Sequence, residues 1–501
     1  MSATVAEPLP LALYRAAAVR DLDARLIASG TPGYVLMQRA ARALWQALRL
    51  RWPSASALTV LAGHGNNAGD GYLLALLAQQ AGMAVQVLTV SDPARLNGDA
   101  ASAFAAARAA GVSIQPWQVD SSLQGVIVDA LLGTGLQGAV REPFAAVIRT
   151  LNEHERPVLA VDIPSGLCAD SGRVLSCAVR AELTVTFIGL KLGLFQLDGS
   201  AQAGHLVFAD LQADPLQVAA MPVAAWRLAG EQLPVLAPRA RHSHKGQFGR
   251  VLVVGGDNGL GGAALLAAES TLRGGAGLVT LATRAEHVAP ALARRPEVMC
   301  RGVQSGNEVR ALAQAADVLV LGPGIGQGAW ARSLLGSLAG TAVPQVWDAD
   351  ALNLLAAGVL RAPDGPWIAT PHPGEAARLL GVSVAEVQAD RAAAAAALAQ
   401  RLQAVVVLKG AGTLVAEPQG RLYLCERGHP VMAGAGFGDV LAGLLGALLA
   451  QGLVPDQAAR LGVWLHAVAG ERLAGAGRGL AAGELCEAIR QVLEEHSPCL
   501  K

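Results

Sequence analysis

The sequence predicts an α/β protein of two domains, each built on a parallel sheet covered on both faces by helices. Three observations carry that expectation. Short apolar runs of strand length alternate with helix-length segments along most of the chain, the pattern that sheets buried on both faces produce. The alternation lapses over Asp210 to Pro238 in Pro- and Ala-rich sequence and then resumes. A chain of 501 residues is also long enough for two or three separate cores. Residues 1–220 and 239–501 are therefore expected as domains, with 221–238 as the linker.

Composition excludes several classes of function. Hydrophobic residues make up 52% and charged ones 16%, and 39 basic side chains balance 39 acidic ones. No charge excess points to nucleic acid or an anionic membrane. Six cysteines, at 168, 177, 300, 425, 486 and 499, show no C-x-x-C spacing, which argues against a zinc site and a disulfide framework and fits a reducing cytoplasm. The N-terminus carries Glu7 and two prolines before Leu11 and does not read as a signal peptide. Val440 to Ala450 is uncharged, but it has only half the ~20 residues that a spanning helix needs.

Residues 1–56 read as helical, with apolar positions three or four apart over Arg15 to Ile27 and Gly33 to Leu50. Ala57–Ala62 is a buried-strand run that ends in the loop G-H-G-N-N-A-G-D-G at 63–71, before a helical segment from Tyr72 to Gly82. Strand, glycine-rich loop and helix form the phosphate-cradling arrangement of nucleotide-binding α/β folds, although G-x-G-x-x-G is absent. Further strands are expected at Ala84–Val90, Gly125–Leu132 and Pro157–Ile163, separated by helices such as Asn97–Ala110 and Glu142–Glu153. Polar groups fall at three strand ends: Asn66, Asn67 and Asp70; Asp129 with Gly133, Thr134 and Gly135; and Asp162 with Ser165. Ligands of parallel sheets sit at such ends, and these hard oxygens suit an alkali or alkaline-earth cation. The same residues also suit ordinary strand-to-helix turns.

In the second half, Arg250–Val254 runs into a glycine-rich turn over 255–263 and then the helix Ala264–Arg273. Other strands end in G-P-G-I-G at 322–326, W-D-A-D at 347–350 and T-P-H-P-G-E at 370–375, while Ala404–Leu408 leads into K-G-A-G-T at 409–413. The Ala392–Ala397 run reads as helix surface. His372 reads as a ligand contact or a structural histidine, and Lys409 as a phosphate partner or a solvated strand-end lysine. The stretch Gly434–Gly446 predicts a tight loop opening into a buried helix, with Asp439 in its first turn. Free amides and the positive dipole end there suit a transferring phosphoryl group. Asp439 then reads either as the base for an attacking hydroxyl or as a common N-terminal helix acid.

These motifs, with D-A-L-L-G-T-G-L at 129–136, D-I-P-S-G at 162–166, H-K-G at 244–246, D-A-D-A-L-N at 348–353 and G-F-G-D at 436–439, resemble the bifunctional NAD(P)H-hydrate repair enzymes over nearly the whole chain. That family joins an epimerase domain to an ADP-dependent dehydratase domain. The resemblance implies a Rossmann-like three-layer α/β/α fold for the first domain and a ribokinase-like α/β fold for the second. It implies that the first domain interconverts the R and S hydrates of NADH and NADPH. Asn66, Asn67, Ala68, Gly69 and Asp70, then Gly133, Thr134, Gly135, Leu136, Gln137, Gly138 and Ala139, and also Asp162, would contact the hydrate. Asn67, Asp129 and Ser165 would hold a potassium ion (K+), and Asp162 would move the proton at the nicotinamide carbon.

For the second domain the resemblance implies that Ala263, Gly324, His372 and Asp439 contact the hydrate. Lys409, Gly410, Ala411, Gly412 and Thr413, with Gly438, would contact ADP, bridged by a magnesium ion (Mg2+) without an all-protein cage. Asp439 would take the hydroxyl proton, and elimination of phosphate would follow. Two positions depart from the family pattern. Ala68 stands where glycine is usual, which would cost about 1 kcal/mol if that backbone had positive φ. Phe437 replaces a small hydroxyl residue and brings bulk to the anion loop. The competing reading is a small-molecule kinase fused to a non-catalytic nucleotide-binding domain. Small molecules are the expected partners, and the fold class is compatible with homo-oligomers.

Overall fold

The computed structural model describes residues 9–338 and 340–500. Glu7 and Pro8, used in the signal-peptide reading, lie outside the described residues. The chain divides after Trp226 into two compact units.

The first unit carries a seven-stranded, all-parallel sheet in the order Ser113–Pro116, Ala84–Thr89, Ala57–Ala62, Val126–Ala130, Val158–Val161, Leu183–Phe187, His205–Ala209. From Ala57–Ala62 the chain winds outward in one direction, then returns to Val126–Ala130 and winds the other way. The two loops that follow these neighbouring strands diverge and leave a crevice at the switch point. Alternate strand residues face opposite cores: Val126 and Val128 pack with the helices Ala16–Ala28, Gly33–Arg51, Asn66–Gln80 and Gly98–Ala109, while Ile127 packs towards the helix Phe144–Glu153. That alternation produces the expected three layers.

The sequence reading needs two corrections in this unit. Ala12–Tyr14 is a strand, paired in parallel with Leu190–Lys191, so the region before residue 56 is not all helical. The third helix begins at Asn66 and not at Tyr72, which moves Asn66, Asn67, Ala68, Gly69 and Asp70 from a loop onto helical turns. Ala68 is among the fully buried residues and is not among those with positive φ, so the anticipated strain does not arise.

The second unit carries seven parallel strands in the order Met299–Gly302, Leu278–Thr283, Arg250–Val254, Val318–Leu321, Gln345–Trp347, Trp367–Ala369, Val405–Leu408, extended by the antiparallel strands Thr413–Ala416 and Leu422–Cys425. The helix Phe437–Ala450 lies in the core, with nearly every residue from Val440 to Leu449 buried. Gly443 lets it approach the helix Gly261–Arg273, because a Cβ there would sit 2.0 Å from the Ala267 carbonyl oxygen. Ser270 and Thr271 lock the contact by donating to the Val440 and Gly443 carbonyls at 2.6 and 3.0 Å. The alanine run is helical as expected, within the helix Arg391–Leu402, but only Ala393 and Ala397 of it are exposed; Ala392, Ala394 and Ala395 are buried, so the run serves close packing as well as surface.

Between residues 210 and 238 the chain is not an extended tether: it forms the helix Pro215–Ala219, the strand Ala225–Arg227 and a 3-10 turn at Gly230–Gln232. All six cysteines are free thiols. Among the described residues no helix is long and apolar enough to cross a membrane.

Candidate active sites

In the first unit a cavity of about 560 Å³ opens at the switch point. Its wall contains Asn66, Asn67 and Asp70 from the third helix, Gly133, Thr134, Gly135, Leu136 and Gln137 from the loop after Val126–Ala130, and Asp162 from the end of Val158–Val161. Four other candidates for contact with the hydrate do not line it. Ala68 and Gly69 are buried within the helix, and a Cβ on Gly69 would meet Met37 Cε at 2.6 Å, so this glycine spaces two helices. Gly138 and Ala139 are exposed beyond the wall.

Local backbone explains how Asp162 reaches the cavity. Its φ is 66°, and Ile163 N–H donates to the Val161 carbonyl at 2.8 Å, which makes Asp162 the centre of a tight three-residue turn. Ile188, just after the neighbouring strand Leu183–Phe187, repeats this device with φ 65°. Strain of this kind persists where the surroundings over-determine it, and both instances border one cavity. Asp162 accepts from Phe187 N at 3.0 Å and from Lys191 Nζ. Lys191 is buried, and its remaining donors go to Thr186 Oγ1 at 3.1 Å and the Phe187 carbonyl at 3.0 Å. A buried ammonium held this way fixes the Asp162 carboxylate as its ion partner.

Asp129 and Ser165 sit behind the cavity wall. Asp129 is fully buried and accepts from Ser165 N at 2.7 Å and Ser165 Oγ at 2.6 Å. No basic side chain pairs with it among the described residues, and burial pushes its carboxyl up to about 6 despite those bonds. Asn67 reaches back from the helix and touches the Leu132 carbonyl at 3.4 Å. A Cβ on Gly133 would lie 2.6 Å from Asn67 Oδ1, so glycine is what admits this side chain. A lone buried carboxylate beside a hydroxyl, an amide and a carbonyl is a donor set that fits a hard monovalent cation.

In the second unit the strand ends converge on Lys409. Its Nζ donates to Asp348 Oδ1 at 2.7 Å, and its backbone N–H donates to the Pro371 carbonyl at 3.0 Å. A Cβ on Gly438 would lie 3.2 Å from Lys409 Nζ and 3.7 Å from Asp348 Oδ2, so the start of the helix Phe437–Ala450 closes over this ion pair. The N-cap, Gly436, has φ 90°, a left-handed conformation that turns the loop into the helix without Cβ strain. Asp439 follows in the first turn. Burial, and then the Asp348 charge, push its carboxyl up to about 7, with Lys409 pulling the other way. Glu375 is likewise pushed up to about 7, mainly by burial, while burial and Lys409 lower His372.

The other candidates fall around this centre. His372 caps the helix Pro373–Leu380, accepting from Gly374 N at 2.9 Å while its backbone N–H donates to Glu375 at 2.8 Å. Ala263 and Gly324 are neighbours, because a Cβ on Gly324 would meet the Ala263 Cβ at 3.0 Å. The Gly324 loop reaches the Asp348 segment where Gly326 N donates to Asp350 at 3.0 Å. Arg391, fully buried, donates to the carbonyls of Leu408, Lys409 and Gly412 and so ties down the loop that contains Gly410, Ala411 and Thr413. Among the described residues no group of three His, Cys, Asp or Glu is placed to hold a metal ion.

Comparison with known proteins agrees with this geometry. Residues 251–495 match the NAD(P)H-hydrate dehydratase family, and residues 33–193 match the YjeF-related protein N-terminus family. The bifunctional NAD(P)H-hydrate repair enzyme of Coxiella burnetii is 45% identical over 482 residues, covering 95% of this chain and 98% of that protein. The chain belongs to the bifunctional NAD(P)H-hydrate repair enzyme family. The Escherichia coli member is 43% identical, covering 92% of this chain and 89% of its own. A ribokinase-like superfamily protein from Enterococcus faecalis superposes with a TM-score of 0.50 at 28% identity, covering 54% of this chain and 96% of that chain.

Phe437 resolves differently from the sequence expectation of bulk in the anion loop. Its ring is buried in the core and meets His466 edge-on, with centroids 6.5 Å apart. Burial lowers His466 to about 4, so the neutral imidazole sits 2.9 Å from the Phe437 carbonyl and donates to it. The ring therefore anchors the loop from behind and leaves the Phe437 amide free for a ligand.

Sequence reasoning missed Asp23, Lys191, Asp348 as a site residue, Glu375, Arg391 and His466. Two of them carried a signal. Lys191 is a lone cation in the apolar run around Leu190 and Leu192, and Asp348 stands at a strand end within D-A-D-A-L-N.

Proposed function

We propose that this chain repairs hydrated NADH and NADPH in two steps. The first domain interconverts the R and S hydrates, and the second dehydrates the S form at the expense of ADP, giving NAD(P)H, AMP and phosphate. In the first site, Asn66, Asn67, the Gly133–Gln137 loop and Asp162 contact the hydrate, and Asp162 carries the proton transfer that epimerises the nicotinamide carbon bearing the hydroxyl. Asn67, Asp129 and Ser165 hold K+ beside the substrate, where it offsets the buried Asp129 charge.

In the second site, Ala263, Gly324, His372 and Asp439 hold the hydrate, and Lys409 to Thr413 with Gly438 hold the nucleotide. A secondary hydroxyl is a poor leaving group, so transfer of the ADP β-phosphoryl to it creates one that departs as phosphate. Asp439 accepts the hydroxyl proton while the Gly436–Gly438 amides stabilise the moving phosphoryl group. The ring nitrogen lone pair then expels phosphate, the neighbouring ring carbon gives up a proton to water, and the C=C bond of the dihydronicotinamide is restored. Mg2+ enters with the nucleotide, since phosphates and one or two carboxylates usually suffice to bind it. A substrate class derived from NADH and NADPH, with six free thiols, supports work in a reducing cytoplasm.

The observation that carries this reading is Asp439: a carboxyl poised at about 7 stands in the first turn of a core helix, over the Lys409–Asp348 pair. Product analysis tests it. With purified S hydrate, AMP, phosphate and NADH are expected in equal amounts. A stable phosphorylated hydrate without NADH would replace the dehydratase by a kinase.

A further inference from the structure

The epimerase cavity holds more acidic groups than the reading above uses. Asp23, from the helix Ala16–Ala28, and Asp70, from the helix Asn66–Gln80, line the same wall as Asp162. The ammonium of Lys191 is committed to Asp162, Thr186 and Phe187 and has no donor left for them. Asp70 is only 7% exposed, and its carboxyl has no hydrogen-bond partner among the described residues. An unpaired carboxyl this buried, open only to a ligand cavity, is costly as structure alone.

We propose that Asp70 is the catalytic acid of epimerisation, working with Asp162 as the base. This rests on the epimerase reading above. Burial, then the charges of Asp162 and Asp23, push Asp70 well above the ordinary carboxylate range. Asp162, by contrast, is ion-paired. An unpaired carboxyl and an ion-paired carboxylate facing one cavity are suited to the acid and base roles respectively.

The substrate chemistry needs both. Water added across an enamine double bond leaves the hydroxyl on the carbon bonded to nitrogen. Asp162 takes the hydroxyl proton, the O–H pair forms a C=O bond, the C–N bond breaks, and the nitrogen receives the proton of Asp70. The open aldehyde turns about its C–C bond and presents its other face. Closure then reverses each transfer: Asp70 regains the nitrogen proton, the nitrogen re-attacks the carbonyl carbon, and Asp162 returns its proton to oxygen. Nothing is oxidised or reduced, and both carboxyls end as they began.

Asp70→Asn in the full-length chain tests this, because the amide keeps the shape and removes the proton. With R hydrate and ADP, kcat for epimerisation should fall at least ~100-fold, while KM for the hydrate changes less than about threefold. Dehydration of purified S hydrate, measured on the same sample, reports on the other site. Epimerisation that stays within about threefold of wild type, or a loss carried by KM alone, overturns the proposal. If Asp70→Asn does not fold, Asp70→Glu, which keeps an acidic proton, must keep at least about a tenth of kcat; a larger loss overturns it. A wild-type chain that never epimerises R hydrate would instead remove the epimerase reading itself.

Discussion

Asp439→Asn should abolish dehydration and at the same time stabilise the second unit. Burial and the Asp348 charge raise the Asp439 carboxyl from 3.8 to about 7. At ~1.4 kcal/mol per unit the shift corresponds to about 4 kcal/mol, which we reduce to about 2–4 kcal/mol for residual solvent contact. The sign follows from proton binding. Between the unfolded and folded values the native state holds the extra proton, so stability declines as pH rises through that window and the full cost is present above about 7. Asparagine is neutral throughout and removes that cost. Calorimetry at about pH 8 should therefore show the variant melting several degrees higher, with a flatter Tm profile between about pH 4 and 7. Dehydration, followed by recovery of dihydronicotinamide absorbance, should fall by ~100- to 10,000-fold. In the wild type kcat should drop about tenfold per unit below about pH 7. A variant that keeps more than about a tenth of the activity, or that melts lower at about pH 8, would refute this reasoning.

Lys191→Met leaves the carboxylate of Asp162 buried without its partner; epimerisation should fall at least ~100-fold, and the first unit should lose about 3–5 kcal/mol, read by urea unfolding. Replacing K+ by Li+ should slow epimerisation and lower the melting temperature of the first unit, and Asp129→Asn should erase both differences in the same assays. Phe437→Thr should cost about 3–5 kcal/mol through the lost ring packing, while ADP-dependent turnover below the melting transition stays within about threefold.

The strand positions were legible because buried parallel strands leave apolar runs, and Ala57–Ala62 and Arg250–Val254 coincide with the expected segments residue for residue. Helix starts were less so. Asn-Asn-Ala-Gly-Asp has the composition of a turn, yet tertiary packing of Ala68 and Gly69 winds it into helix. The strands Leu183–Phe187 and His205–Ala209 and the antiparallel pair after Lys409 were not legible, because short apolar runs without a chemistry-bearing loop at their end are ambiguous between strand and buried helix. At the sites, strand-end residues such as Asp162 and Lys409 could be found from position alone. Asp23 and Arg391 could not, since no periodicity encodes which distant side chain or backbone group they meet, and Lys191 was marked only as a lone cation in an apolar run. Phe437 illustrates the converse: its size was visible, but which way the ring turns is set by His466 and the core.

The most direct test of a two-step repair enzyme uses a mixture of R and S hydrates with one purified chain, ADP, Mg2+ and K+. Complete conversion to NADH at a rate well above spontaneous epimerisation, with AMP formed in equal amount, is the expected result. Conversion that halts once the S fraction is spent would contradict it and leave the first domain without catalytic function.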